Sequence, residues 1–157
     1  GPILFIQKRV GINNNPFNIY KFRTMRVDAP NNQPTDQLED PMNWITKIGV
    51  ILRKTSIDEL PQLANILFGS MSFVGPRPAI YSQTNLIELR TKFGISNVKP
   101  GLTGLAQING RDENNDSEKV YWDEIYTKEM SFLLDLKIIF LTFVHTLVSK
   151  SVIEGKH

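Results

Sequence analysis

The chain has 157 residues, 41% hydrophobic and 22% charged, a length and composition that fit one folded domain and exclude a disordered chain. It contains no cysteine and two histidines, His145 and His157, which excludes disulfides and thiolate metal sites and leaves chemistry to carboxylates, arginines and lysines. The net charge of +2 is uneven, with 12 Lys and Arg against 7 Asp and Glu in residues 1–99; this suits a phosphorylated ligand or an anionic membrane and is too sparse for nucleic acid.

The first predicted elements are two β-strands. Residues 3–10 have a β-type composition, and residues 17–22 alternate apolar and polar side chains with period two. The Gly and Asn residues between them tolerate positive φ, which predicts a β-hairpin over residues 3–25 with a loop longer than two residues. Residues 28–41 contain three prolines and few apolar side chains, so a loop is expected there.

Helices are predicted for most of the remaining chain. Two of them occupy residues 44–68, where apolar side chains recur at helical spacing. Ser56 and Glu59 have the spacing of a capping box that would begin the second of these helices. Further helices are expected at residues 80–93 and at 117–128 with Ser117 as N-cap, and loops at residues 73–78 and 99–104. The pattern predicts a single α+β domain over residues 1–157, mostly helical, with one small hairpin.

The last predicted helix, residues 131–149, is unusually apolar. Twelve of its 19 residues are apolar, and its uncharged run 138–149 is too short to span a bilayer. Its polar side chains form one narrow stripe at 100° per residue: Asp135, Thr142, His145, Thr146 and Ser149. This pattern predicts a helix that lies on a membrane surface, and a helix buried in the core is the alternative.

The adjacent acids Asp58 and Glu59 are the strongest catalytic candidates. Phosphoryl transfer needs carboxylates beside cations, because an acid can attack phosphorus or hold Mg²⁺ while the cations neutralise a diphosphate. Several cations are candidates to join the pair: Arg53 and Lys54 just before it, Arg77 in a loop after it, and Lys21, Arg23 and Arg26 at the end of the hairpin. The alternative is that the two acids cap a helix, as acids in a first turn commonly do.

Three further side chains are candidates for ligand contacts. Arg77 lies between two prolines, which restrict the backbone and so orient the guanidinium for bidentate phosphate binding; a solvated arginine in an ordinary turn is the alternative. Gln107 and Asn109 have the chemistry to contact uracil or sugar, and equally to satisfy loop backbone groups. The glycines form no dinucleotide-binding or P-loop motif.

Four motifs, in order along the chain, resemble the bacterial sugar transferase family, the monotopic polyprenyl-phosphate phosphoglycosyl transferases. They are YKFRTM at 20–25, RKTSIDELPQL at 53–63, SFVGPRP at 72–78 and KPGLTGLAQINGR at 99–111. The resemblance covers about residues 1–150. It implies an active site at the cytoplasmic face of the bacterial inner membrane, supported by amphipathic helices such as residues 131–149. It also implies a preceding membrane-entering helix, so we expect this chain to be a fragment that lacks it.

The resemblance further implies transfer of a sugar-1-phosphate from a UDP-sugar to polyprenyl phosphate. Asp58 is then expected as the nucleophile, with Mg²⁺ held by Glu59 and Asp58. Contacts to phosphate or uridine are expected from Arg53, Arg77 and Arg111, with Lys21 and Arg23 ranked below them. A noncatalytic membrane-surface module with the same fold is the alternative, and the sugar, the pathway and a homo-oligomeric state stay open.

Overall fold

The computed structural model describes residues 1–30, 38–110 and 114–153, with side chains described as far as residue 147. In chain order its elements are strands β1 (Leu4–Val10) and β2 (Pro16–Phe22), helices α1 (Pro41–Trp44), α2 (Lys47–Thr55) and α3 (Gln62–Leu67), strand β3 (Ser72–Val74), helix α4 (Thr84–Lys92), strand β4 (Gly101–Thr103), and helices α5 (Leu105–Ile108), α6 (Asp116–Glu129) and α7 (Phe132–Ile153). Helix predominates, which confirms the predicted α+β class. Half of the predicted loop 28–41, residues 31–37, lies outside the described residues.

The predicted N-terminal hairpin is confirmed. Strands β1 and β2 pair antiparallel, from Leu4 opposite Phe22 to Val10 opposite Pro16. Their connection contains a 3-10 turn in which Asn13 has a φ of 54°. Asparagine tolerates this left-handed conformation, as the loop composition indicated.

The first of the two helices predicted within residues 44–68 is interrupted at Ile45, which forms an antiparallel bridge with Met25. Helix α2 begins only after Thr46, whose hydroxyl accepts a 2.9 Å hydrogen bond from the Gly49 amide. This cap satisfies a backbone donor at the start of the helix. The bridge and a 2.9 Å bond from the Thr46 amide to the Thr24 carbonyl attach the start of α2 to the chain that leaves the hairpin.

The predicted capping box of Ser56 and Glu59 is wrong. Ser56 ends α2 in the left-handed conformation, with a φ of 57°, and its side chain caps no helix. The residues Ile57–Glu59 form a 3-10 turn, and α3 begins only after Pro61. Because proline has no N–H, it is tolerated at the beginning of a helix and not in its interior. Asp58 therefore lies in a linker between two helices, outside the first turn of an α-helix.

Two regions predicted as loops contain a short parallel strand pair. In strands β3 and β4, Ser72 lies opposite Gly101 and Val74 opposite Thr103. The Gly75 amide extends the pairing with a 2.9 Å bond to the Thr103 carbonyl. A Cβ on Gly101 would collide with the Gly75 amide, so glycine is required for this close approach. Strands of three residues are too short for period-two alternation to reveal them.

Two later helices begin elsewhere than predicted. The backbone of Ile80 is held in a turn by Gln83, whose side-chain oxygen accepts from the Ile80 amide at 3.0 Å, so α4 starts beyond it. Helix α6 is capped by Asn115 and not by Ser117. Asn115 and Glu118 exchange hydrogen bonds of 2.9 and 2.8 Å in a complete capping box.

Helix α7 has one face in the core and another exposed. Ile138 is fully buried against Val74 and Tyr126, whereas Phe140 and Phe143 are exposed. Thr142, from the predicted polar stripe, lies 2.6 Å from the Thr103 hydroxyl, so the described part of the stripe faces the protein. The core alternative therefore holds for one face of this helix, and membrane contact of the exposed face stays a prediction. Among the helices as far as the structure describes them, none is long and apolar enough to span a membrane.

Asn65 joins helix α3 to strand β2. Its side-chain nitrogen donates to the Asn18 carbonyl at 2.7 Å, and its side-chain oxygen accepts from the Tyr20 amide at 3.1 Å. The side chain is buried, so these bonds satisfy strand groups that water does not reach. The residue that follows Tyr20, Lys21, is thereby fixed relative to the linker before α3.

We expect Asn65→Ala to destabilise the protein by roughly 2–4 kcal/mol, because two buried backbone groups lose their partners. Denaturant unfolding followed by circular dichroism measures this loss. The matched control is Asn85→Ala, which removes an exposed side chain that donates to Asp116; this substitution should cost less than about 0.5 kcal/mol. Equal losses in the two variants would contradict the role of Asn65.

Candidate active site

A cleft of about 640 Å³ opens between the hairpin, the α2–α3 linker, the segment after β3 and helices α4 to α7. Several cations and the two candidate acids line it: Arg9, Lys21, Arg53, Arg77, Arg90, Asp58 and Glu59. The fold therefore brings residues far apart in sequence to one surface. A concave site with convergent charged groups is the expected form of a small-ligand site.

Glu59 is paired with two cations. The Lys21 ammonium lies 2.8 Å from its Oε1, and the Arg77 guanidinium lies 3.5 Å from the same oxygen. Burial alone would raise the pKa of Glu59, but the two cations outweigh burial and hold the pKa at about 2. Burial also lowers the pKa of Lys21, an effect that Glu59 opposes. Glu59 is therefore ionised at physiological pH.

Asp58 has a different environment although it is the adjacent residue. Its relative exposure is 9%, and no described Lys or Arg pairs with it directly. Burial raises the pKa of Asp58, and the charge of Glu59 adds to this, while Lys21 and Arg53 oppose it. The two neighbouring carboxylates thus have separate environments, since cations neutralise Glu59, whereas Asp58 has no direct Lys or Arg partner among the described residues.

The arginines predicted to contact substrate differ in how they are held. The Arg53 Nε donates to the Thr24 hydroxyl at 2.9 Å, which orients its guanidinium at the end of α2. Burial lowers the pKa of Arg53, and Asp58 partly offsets this. Arg23 lines the cleft, but its Nε donates to the Pro2 carbonyl at 3.0 Å and its guanidinium lies over the Phe5 ring. Arg23 is thus attached to the start of β1.

Sequence reasoning missed Arg9. Its Nη1 donates to the Pro78 carbonyl at 2.9 Å and its Nε to Gln7 at 2.9 Å. Burial and the nearby charge of Arg77 lower the pKa of Arg9 to about 10, against the opposing effect of Glu59. The signal was present in the alternation of β1, which places Phe5, Gln7 and Arg9 on one face. An arginine on the inward face of a strand indicates a buried partner or ligand.

The other three residues predicted to contact the substrate, Gln107, Asn109 and Arg111, differ in their surroundings. Gln107 lines the cleft, donates to the Leu102 carbonyl at 3.1 Å, and has a buried side-chain oxygen without a partner among the described atoms. The Asn109 side chain donates to the Leu105 carbonyl at 2.8 Å and so satisfies a backbone group. Arg111 lies outside the described residues. Gln107 therefore lies at the cleft with a side-chain oxygen that no described donor occupies.

Asp58 and Glu59 are the acids that could hold Mg²⁺ here. Within residues 1–30, 38–110 and 114–153, no group of three or more His, Asp and Glu forms a ready metal cage. Mg²⁺ is commonly bound by one or two carboxylates together with substrate phosphates and water. The two carboxylates fit that mode, in which a phosphorylated ligand completes the coordination.

We expect Glu59→Gln to destabilise the protein by roughly 2 kcal/mol at neutral pH, because Lys21 loses its buried partner. The folded-state pKa of about 2 lies below the ordinary 4.5, so the ion pair stabilises the fold fully above pH 4.5. That stabilisation is lost as the pH falls toward 2. Chemical unfolding of variant and wild type at neutral and acidic pH should therefore show a difference that shrinks below pH 4.5.

The control for this prediction is Asp28→Asn, which removes an exposed ion pair with Arg26. An exposed pair contributes little, so this variant should unfold as the wild type does. A destabilisation by Glu59→Gln that is the same at every pH would contradict an ionic origin.

Comparison with known proteins places the chain among sugar transferases. A sequence profile of the bacterial sugar transferase family matches residues 1–149. The chain is 44% identical to a UDP-glucose:undecaprenyl-phosphate glucose-1-phosphate transferase of Klebsiella pneumoniae, over 96% of this chain and 34% of the relative. It is 47% identical to the galactosyl transferase CpsE of Streptococcus agalactiae, over 90% of this chain and 34% of the relative.

A shorter relative matches over most of its own length. The chain is 42% identical to an uncharacterized sugar transferase of Bacillus subtilis, EpsL, over 99% of this chain and 75% of that protein. The chain thus spans about a third of the two longer relatives and three quarters of the shorter one. On the profile match and these identities, the chain belongs to the bacterial sugar transferase family.

Proposed function

We propose that the chain is the catalytic region of a phosphoglycosyl transferase that moves a sugar-1-phosphate from a UDP-sugar to polyprenyl phosphate and releases UMP. The observation that carries the proposal is the unpaired, buried Asp58 beside the cation-bound Glu59 in a cleft lined by arginines. Relatives whose names specify UDP-glucose and undecaprenyl phosphate support this class of donor and acceptor. The reaction would begin the membrane stage of bacterial polysaccharide or glycoconjugate synthesis.

In the first step, an oxygen of Asp58 attacks the phosphorus that bears the sugar. The bond from this phosphorus to the bridging oxygen breaks, and UMP leaves with the electron pair. A sugar-phosphoryl-aspartate remains on the protein. Division of the transfer into two displacements is the usual logic of covalent catalysis, and it suits a carboxylate that no cation neutralises directly.

In the second step, an oxygen of the polyprenyl phosphate attacks the same phosphorus and Asp58 leaves as a carboxylate. The product is a polyprenyl-diphospho-sugar. Lys21, Arg53 and Arg77 line the cleft, and in this proposal they offset the charge of the phosphates in both steps. Mg²⁺ bound by Glu59 and Asp58 would supply further charge neutralisation for the diphosphate.

The surroundings of Asp58 fit an acceptor with a lipid chain. The helices on either side of the linker expose apolar side chains, among them Ile51 on α2 and Leu67 on α3, the latter with 82% exposure. Within the linker itself Ile57 and Leu60 are exposed as well. An exposed apolar surface of this kind marks a membrane or protein contact. We place it on the cytoplasmic face of the bacterial inner membrane, beside the acceptor.

A noncatalytic membrane-surface module with the same fold is the second candidate. It would have no use for an unpaired buried carboxylate, because burial of a charge without a partner costs stability. Release of UMP separates the two functions. A panel of UDP-sugars with undecaprenyl phosphate and Mg²⁺ would identify the donor in the same experiment. Absence of UMP release with every UDP-sugar would support the noncatalytic module.

We expect Asp58→Asn to abolish UMP release and the exchange of labelled UMP into the UDP-sugar, a loss of at least about a thousandfold. Exchange needs only the first step, so exchange that persists in this variant would exclude Asp58 as the nucleophile. The fold should survive. Burial raises the pKa of Asp58, so ionised Asp58 costs the folded state stability at neutral pH, and the asparagine variant should be at least as stable.

We expect Leu67→Lys combined with Phe68→Lys to reduce flotation of the protein with anionic liposomes, because both side chains are about four-fifths exposed at the end of α3. The added positive charge alone would increase binding to such liposomes. The control is Tyr121→Lys on α6, which also replaces an exposed aromatic side chain. Undiminished flotation of the double variant would contradict contact of this surface with the membrane.

A further inference from the structure

The segment that contains Arg77 is held by its carbonyl groups. Four successive carbonyls accept hydrogen bonds from four different places: Pro76 from the Gly101 amide at 2.9 Å, Arg77 from the Arg90 side chain at 2.7 Å, Pro78 from the Arg9 side chain at 2.9 Å, and Ala79 from the Val10 amide at 3.0 Å. Two of the four donors are thus guanidinium groups. Pro76 and Pro78 have no N–H and cannot donate to a neighbouring strand. Hydrogen bonds from side chains to the carbonyls of this segment supply much of the bonding that a strand would provide.

Arg90 is itself fixed by Asp123. Its Nε and Nη2 donate to the Asp123 Oδ2 at 3.0 and 2.7 Å, while its Nη1 donates to the Arg77 carbonyl. The side chains of Arg90 and Asp123 are 10% and 2% exposed. A planar guanidinium presents its donors in a rigid fork, so the carboxylate on two donors determines where the third one points. The position of the Arg77 backbone is thereby linked to helix α6.

Stability alone does not account for this ion pair. Removal of two charges from water costs several kcal/mol, and well-packed apolar residues in place of a buried pair are often as stable or more stable. An apolar pair could not donate to the Arg77 carbonyl. Arg90, held by Asp123, therefore supplies a directed hydrogen bond to Arg77 that apolar residues could not. The Arg77 side chain in turn reaches Glu59.

We propose that Arg90, held by Asp123, is a positioning residue that sets the place of Arg77 in the cleft through the Arg77 carbonyl. The catalytic consequence rests on the proposed function, in which Arg77 contacts the diphosphate. The claim that Arg90 holds the Arg77 backbone rests on the hydrogen bonds of Arg90 alone. Two experiments on the protein, one without substrate and one with it, test the two parts separately.

The first experiment measures the order of the Arg77 backbone amide by NMR relaxation in the ligand-free protein. The variant is Arg90→Lys, because an ammonium can pair with Asp123 but cannot hold the rigid fork that also reaches the carbonyl. We expect the order parameter to fall from a rigid value of about 0.85 toward about 0.6. An Arg77 amide that is as rigid in this variant as in the wild type would overturn the proposal.

The control is Asn115→Ala, which removes the cap of α6, the helix that carries Asp123, without contact to the Arg77 segment. It should lower Tm and leave the order of the Arg77 amide unchanged. If Arg90→Lys does not fold, the neutral pair Arg90→Gln with Asp123→Asn avoids an unpaired buried charge. This pair should show the same loss of order, and a rigid Arg77 amide in it would overturn the proposal equally.

The second experiment is a double-mutant cycle on UMP release with Arg77→Ala. In the wild-type background, Arg90→Lys should lower kcat/KM about tenfold or more. In the Arg77→Ala background, the same substitution should cause little further loss of kcat/KM. An equal loss in both backgrounds would overturn the positioning role and indicate that Arg90 contacts substrate. If the wild type releases no UMP from any donor, the proposed function fails, and the relaxation result still decides whether Arg90 positions Arg77.

Discussion

The ion pair between Lys21 and Glu59 connects the hairpin to the linker that contains both candidate acids. It determines which of two adjacent carboxylates is neutralised. With Lys21 and Arg77 on Glu59, Asp58 lies beside that pair without a direct cation of its own, and burial raises its pKa. The fold supports this pair from several sides, because Asn65 fixes the strand that ends beside Lys21 and the Thr46 cap fixes the helix that leads to the linker.

Several features of the protein that reduce its stability lie at the candidate site or next to it. An unpaired buried carboxylate, a buried ion pair and a set of exposed apolar side chains each have a free-energy cost in water. Natural proteins depart from the rules of stable folding mainly where function requires it. Here the costly features surround one cleft: Asp58 within it, Arg90 behind the Arg77 segment, and the apolar side chains of α2 and α3 beside it.

Local patterns predicted the elements better than their ends. The β-type composition of residues 3–10 and the alternation of residues 17–22 predicted the hairpin, and the apolar spacing predicted α2, α3 and α7. The helix starts failed where another part of the chain decided them, as when Met25 bridges Ile45 and delays α2. The capping box at Ser56 failed for a related reason, since the spacing of the motif does not reveal that the next helix begins only after Pro61, five residues later.

The sequence by itself determined the α+β class, the acidic pair, and the dependence of any chemistry on carboxylates and cations, because these follow from composition and from short-range periodicity. Only the tertiary structure decided which acid is neutralised, that Arg9 and Arg90 hold the Arg77 segment, and that Ser72–Val74 pairs with Gly101–Thr103. These contacts join residues tens of positions apart. Their partners are chosen by burial and geometry across the folded chain, which no local pattern in the sequence records.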